Sequence, residues 1–183
     1  MPAIKQLRLG GFGGQGIVLA GLLLGEAGAL DGKFAAGSSS YGAQARGSAC
    51  KADIILSGDP IDYPHLTGLD ILAAFSQEAY DLYGADVTAP SGIILYDSGL
   101  VIALRTDWKV QQAGVAATDH ALKVLHNKQV ANIVLLGALV EMTGVVSPNA
   151  FRKAIGIHVG PRLRKINLAA FRLGMNLGRK GRG

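Results

Sequence analysis

The chain is short of the residue types that most reactive centres need. Among its 183 residues there is one cysteine, Cys50. A single cysteine excludes an internal disulfide and an iron–sulfur cluster ligated by this chain alone. The four histidines, at 65, 120, 126 and 158, show no metal-ligand spacing; His120 and His126 are six apart and do not share a helix face. Charged residues make up 17% and aromatics 6%. No Ser-His-Asp or Cys-His arrangement emerges from the order of residues. No apolar run reaches the roughly 18 residues of a membrane span. The longest near the N-terminus, Ile17 to Leu24, is interrupted by Gly21. The start, Met1-Pro2-Ala3-Ile4-Lys5, lacks a signal-peptide layout. The expectation is a cytoplasmic protein with no membrane contact and no metal of its own.

Acidic residues are missing from one end. Residues 150–183 carry nine Lys/Arg and no Asp/Glu, whereas the preceding 149 carry nine basic and thirteen acidic residues. A basic end of this kind meets an acidic partner, a phosphorylated cofactor or nucleic acid, or is simply a solvated face. Phe151 and Phe171 are its only aromatics, short of the interleaving that single-strand binders use, so no nucleic-acid partner is expected.

What is abundant is apolar surface and glycine. Hydrophobic residues reach 49%, with 26 glycines, and the mean hydropathy is +0.30. That points to a large buried interface or to a sheet covered on both faces. The length suits one domain with a full core. We place it at 1–177, followed by a basic tail at 178–183.

Periodicity gives a first strand, Ile4 to Leu9, then a helix from Ile17 to Leu30 that stops at Asp31-Gly32. A short second strand, Lys33 to Ala36, is expected to break at Gly37-Ser38-Ser39-Ser40, leading into a polar loop. Further strands are predicted at Ala49–Leu56, Asp70–Phe75, Ile93–Tyr96 and Leu100–Leu104. Ser76 and Ser147 are predicted N-caps, the latter with Pro148 in the first turn, and Thr118 a third. Helices follow at Gln77–Tyr83, Thr118–Leu125, Val130–Met142, after Ser147, and at Pro161–Leu177. The alternation implies an α/β fold of the Rossmann-like, doubly wound kind, with a mostly parallel sheet and helices on both faces.

The chemistry concentrates at Gly11-Phe12-Gly13-Gly14-Gln15-Gly16, between the first strand and the first helix. Its Gly-x-Gly-x-x-Gly spacing lets backbone N–H groups approach phosphate at a helix N-terminus. The alternative is a tight crossover that holds no ligand. A dinucleotide site also needs an acidic residue at the end of the second strand to hold a ribose. Ala35 to Ser40 contains none, which argues against NAD.

Two segments taken together, Gly11 to Gly16 and Ser40-Tyr41-Gly42-Ala43-Gln44-Ala45-Arg46-Gly47, strongly resemble the gamma subunit of 2-oxoacid:ferredoxin oxidoreductases. Asp59 to Pro64 is similar to that family's connector. Ser76-Gln77-Glu78-Ala79-Tyr80 resembles the branch acting on 2-oxoglutarate or branched-chain 2-oxoacids. Asn132 to Ala138 resembles its Asn-containing buried helix, and Asn167, Ala170, Phe171 and Gly174 its C-terminal helix. The resemblance implies a complex that converts a 2-oxoacid and coenzyme A to acyl-CoA and CO₂ while reducing ferredoxin, with 2-oxoglutarate the expected substrate. It implies alpha, beta and ferredoxin-like delta partners. Thiamine diphosphate, Mg²⁺ and [4Fe-4S] clusters would reside in those partners, and this chain alone would be inactive. The gamma part would contribute to a shared coenzyme A site. A free-standing nucleotide-binding enzyme and a purely structural subunit remain the alternatives.

The residues expected at that site are Gly11, Gly13, Gly14, Gln15 and Gly16 in the turn, with Ser38, Ser39, Ser40, Tyr41 and Arg46 beyond it. Arg46 suits a phosphate taken bidentately, or a structural ion pair. The serines offer hydroxyls to phosphate or form a polar loop. Tyr41 and Gln44 line the site or contact a neighbouring subunit. Gln15 orients the ligand or braces the turn. Asn132 is expected to brace the turn or an adjacent loop, and Cys50 to be a small buried residue.

Overall fold

A computed structural model describes residues 4–41, 49–88 and 91–181, with Tyr41 described by its backbone alone. Six strands form one sheet: β1 Lys5–Phe12, β2 Phe34–Tyr41, β3 Ala49–Ser57, β4 Ile71–Ala74, β5 Ile93–Asp97 and β6 Gln111–Val115. Their order is β2-β3-β1-β4-β5-β6. From β1 through β6 the pairings are parallel, as expected. β3, however, runs antiparallel to both β1 and β2. Chain length explains the reversal. Only seven residues separate β2 from β3. That is too few for the crossover a parallel pair needs, so the two must form a hairpin.

The helices are α1 Ile17–Leu30, α2 Gln77–Tyr83, α3 Ala117–Leu125, α4 Ala131–Thr143, α5 Pro148–His158 and α6 Pro161–Lys180. They cover both faces unequally. On one face Leu7, Leu9, Ile54, Ala73 and Leu95 pack into a large core with residues of α1 and α3 to α6. On the other, Leu72, Ile94 and Tyr96 meet Tyr80 of α2 and Trp108. α4 is buried from Asn132 to Val140. It is sandwiched between the sheet and α6 at backbone-to-backbone range. A Cβ on Gly174 would collide with the carbonyl oxygen of Val134, and one on Gly137 with that of Phe171.

Several elements differ from expectation. β2 does not break at Gly37 but continues through Ser38, Ser39 and Ser40, because each pairs with β3 and the ladder outweighs the poor strand propensity of serine. Leu100–Leu104 is not a strand. Its amides are taken elsewhere: Leu100 and Val101 N–H donate to the Asp97 carbonyl at 2.9 and 2.8 Å, and the Gln77 side-chain oxygen accepts from Ile102 and Ala103 N–H, each at 3.0 Å. The strand that does close this edge is β6, whose sequence Gln-Gln-Ala-Gly-Val carries too little apolar pattern to announce itself. α6 runs on to Lys180, past the expected end at Leu177.

Candidate functional site

The glycine turn forms where sequence places it, and the fold explains each of its constraints. Gln15 N–H donates to the Phe12 carbonyl at 3.1 Å, closing a tight turn at the end of β1. Gly14 and Gly16 have φ of 100° and 73°, in the range that side chains resist. The Gln15 side chain spans two strand ends. Its Oε1 accepts from Phe12 N–H at 2.6 Å, and its Nε2 donates to the Phe75 carbonyl at 2.8 Å, just past β4. Gln15 therefore braces the turn. A Cβ on Gly11 would collide with that amide and with Phe75, so the close packing reaches back into β1.

Asn132 braces the turn from α4, as expected. Its Nδ2 donates to the Gly16 carbonyl at 3.2 Å across 116 residues of sequence. Gly16 is the N-cap of α1 and supplies no side-chain acceptor, so the first N–H groups of α1 have no side-chain cap.

Next to this turn lies a cavity of about 260 Å³ at the carboxyl ends of the parallel strands. Gly14, Gln15, Phe75, Asp97, Lys128 and Asn132 are among its walls. That is where α/β sheets place ligands. Asp97 is 1% exposed. It is fully engaged: Oδ2 accepts from the Thr118 N–H at 3.0 Å and hydroxyl at 2.6 Å, and Oδ1 from Gly99 N–H at 3.1 Å. The expected cap by Thr118 is thus replaced by one from β5. Thr118 lies inside α3, and the carboxylate that serves the helix start comes from 21 residues earlier. Lys128, exposed at the cavity, is its cation. Sequence reasoning missed both Lys128 and Asp97. Neither lies in a motif, and only the meeting of β5, α3 and α4 brings them to the turn.

The remaining expected site residues are divided. Ser38, Ser39 and Ser40 lie exposed along β2, two strands from β1. Ser38 stands in register with Asp53 and Arg8, and Ser40 with Lys51 and Gly10. The structure brings Ser38 and Ser39 to a separate groove beside α1, not to the cavity. The backbone of Tyr41 is level with Cys50 and Gly11, so β2 ends on the same edge of the sheet as the turn. Gln44 and Arg46 lie outside the described residues. Cys50 is 3% exposed and burial raises its thiol pKa, which disfavours the reactive thiolate. Arg8 pairs with Asp53 through Nε and Nη2 at 2.7 and 2.8 Å, and this bond holds its guanidinium pKa above the ordinary range.

Comparison with known proteins decides what carries this turn and cavity. A family model described as pyruvate ferredoxin/flavodoxin oxidoreductase matches residues 6–177. The chain belongs to that family. The 2-oxoglutarate synthase subunit KorC of Methanocaldococcus jannaschii is 40% identical, over 96% of this chain and 95% of its own. A crystal structure of the keto/oxoacid ferredoxin oxidoreductase gamma subunit from Geobacter sulfurreducens has 38% identity and a TM-score of 0.88, covering 98% of both chains. This member of the family is accordingly a gamma-type subunit of a 2-oxoacid:ferredoxin oxidoreductase. A 2-oxoglutarate:ferredoxin oxidoreductase from Magnetococcus marinus, solved with 2-oxoglutarate, coenzyme A and succinyl-CoA bound, shares the fold at a TM-score of 0.85. It matches over 97% of this chain and 31% of the longer one, at 23% identity.

Proposed function

We propose that this gamma-type subunit helps a 2-oxoglutarate:ferredoxin oxidoreductase hold coenzyme A, and that the complex yields succinyl-CoA and CO₂ while reducing ferredoxin. The observation that carries the reading is the cavity beside the turn, with Gly14 and Gln15, which lead into the uncapped start of α1, at one wall and Lys128 at another. Coenzyme A presents a pyrophosphate and a ribose phosphate. Backbone N–H groups, a lysine and the guanidinium of Arg46 are the chemistry that binds such groups. The name shared by relatives such as the one from M. jannaschii supports 2-oxoglutarate as the oxoacid.

The donor set of this chain does not fit the redox groups of such a complex. One cysteine cannot supply the thiolates of a [4Fe-4S] cluster. Among the described residues no group of three His, Cys, Asp or Glu is placed to hold a metal ion. In this reading thiamine diphosphate with its Mg²⁺, and the clusters, belong to alpha, beta and delta partners. What this chain does is orient the acyl acceptor. The fold also argues against a dinucleotide. β3 separates β2 from β1, so the strand end that would carry a ribose-binding acid is not beside the turn, and no acid occurs in β2.

The test is steady-state kinetics of the assembled complex with Lys128→Glu or Arg46→Ala. Loss of one charge-assisted contact to phosphate raises the KM for coenzyme A about ten-fold and leaves that for 2-oxoglutarate unchanged. Unchanged KM for coenzyme A in both variants would overturn the reading.

A further inference from the structure

The groove that holds Ser38 and Ser39 is remote from the cavity and has a different character. It has a volume of about 440 Å³ and runs between α1 and the edge of the sheet. Its helical wall is the stripe Val18, Leu22, Gly25 and Ala29, spaced to share one helix face. α1 is apolar nearly all round: Glu26 is the only charged residue among its fourteen. That carboxylate is already engaged by His158 at 3.0 Å. A helix of this composition belongs in an interior. Here Leu22 is 49% exposed and Leu30 41% exposed.

The other wall is an edge strand without protection. Among the described residues β2 pairs only with β3, so its far side offers a row of N–H and C=O groups that no described strand pairs with. Exposed edges are normally blunted by charge, proline or a bulge. Phe34-Ala-Ala-Gly-Ser-Ser-Ser-Tyr41 has neither charge nor proline, and its pairing with β3 is continuous. Phe34 is 48% exposed. Lys33, just before the strand, is turned away and donates to the Val145 carbonyl at 2.5 Å.

We propose that this face is an interface between two copies of the chain, joined β2 to β2 about a two-fold axis. The charge pattern favours a second copy. An occupant must bring an uncharged free strand edge and, beside it, a largely apolar helix face. The patch carries both itself, which is what a two-fold contact requires. An antiparallel pairing about an axis at Gly37 sets Phe34 opposite Ser40 of the second copy, and Ala36 opposite Ser38 of the second copy. The two carboxylates among the groove's lining residues, Glu26 and Asp53, are each already engaged within the chain, by His158 and Arg8. Spacing agrees. α1 packs over β3 and β2 together. With strands ~4.8 Å apart, the two α1 helices lie roughly 10–14 Å apart across the seam, close to helix packing distance. The groove closes, the edge amides pair, and the small residues Gly25 and Ala29 admit the neighbouring helix.

The proposal makes no use of coenzyme A, so it stands or fails separately from the functional reading. Sedimentation equilibrium of the isolated chain is the test. The wild type is expected to be a dimer at micromolar concentration. Leu22→Glu, on an exposed side chain that leaves the fold intact, is expected to weaken association at least about ten-fold. Mixing Leu22→Glu with Leu22→Lys is expected to restore it as a heterodimer. Hydrogen exchange should show β2 amides protected in the wild type and released in Leu22→Glu. A monomeric wild type, or dimerisation unaffected by Leu22→Glu, would overturn the proposal. So would protection of β2 that arises only when the other subunits of the complex bind, which would assign the face to them.

Discussion

Replacing Gly16 by alanine tests the logic of the turn directly. Gly16 sits at φ 73°, where an L-residue costs about 1–2 kcal/mol. Its new Cβ would also strike the Asn132 amide, the only group within reach among the described residues. Asn132 is 5% exposed, and pushing it aside breaks the 3.2 Å bond to the Gly16 carbonyl. A buried donor left without a partner costs about 1–3 kcal/mol. Gly16→Ala is therefore expected to lose about 2–4 kcal/mol, taking the lower half of the second range. Asn132→Ala alone removes the bond and leaves Gly16 free, at about 1–2 kcal/mol. In the double variant the collision is gone, and Gly16→Ala adds only its backbone cost. The two changes are thus less than additive, with a coupling of about 1–2 kcal/mol. Urea unfolding of the four proteins measures it. Additivity within ~0.5 kcal/mol would refute the claim that Asn132 acts on the turn through this contact.

Other outcomes follow from the same packing. Gly174→Val drives a side chain into the Val134 carbonyl and should cost more than ~3 kcal/mol or prevent folding. Gly156→Ala, in open space on α5, should instead stabilise by about 0.5–1 kcal/mol, as thermal unfolding would show. Burial raises the pKa of the Cys50 thiol and of the Tyr83 and Tyr96 hydroxyls, so the native state keeps protons that the unfolded chain releases. Their contribution is fully present below the ordinary thiol and phenol pKa values and is lost as pH rises above ~8.5–10. Cys50→Ala should flatten the thiol part of that decline. In the native protein Cys50 should also react with thiol reagents far more slowly than in urea.

Local chemistry made a good part of this molecule legible in advance. The glycine turn, the Ser76 and Ser147 caps and the buried α4 all formed as read. Ser76 and Ser147 hydroxyls accept from the N–H groups three residues on, at 3.2 and 3.1 Å. Such features depend on neighbours in sequence, which a sequence displays. β6 has no signature in the sequence, and the segment after β5 reads as a strand, because the state of each depends on distant partners. Gln111–Val115 is a strand because β5 offers an edge. Leu100–Leu104 is not one because the Asp97 carbonyl and the Gln77 side chain take four of its amides, and the Tyr80 hydroxyl takes that of the next residue, Arg105, at 2.9 Å.

The division is the same at the site. By itself the sequence determined that a phosphate-compatible turn opens an α/β domain, and that this chain cannot hold an iron–sulfur cluster alone. Those conclusions follow from glycine spacing and cysteine count, which no tertiary arrangement alters. The tertiary structure alone showed which groups Gln15 braces, Phe12 N–H and the Phe75 carbonyl, and that Asn132 reaches the Gly16 carbonyl. It also put Lys128 at the cavity and moved Ser38 and Ser39 to another groove. The reason is the reversed β3. By entering between β1 and β2 it displaces the serines from the turn by one strand, and no local pattern encodes which strand lies between two others.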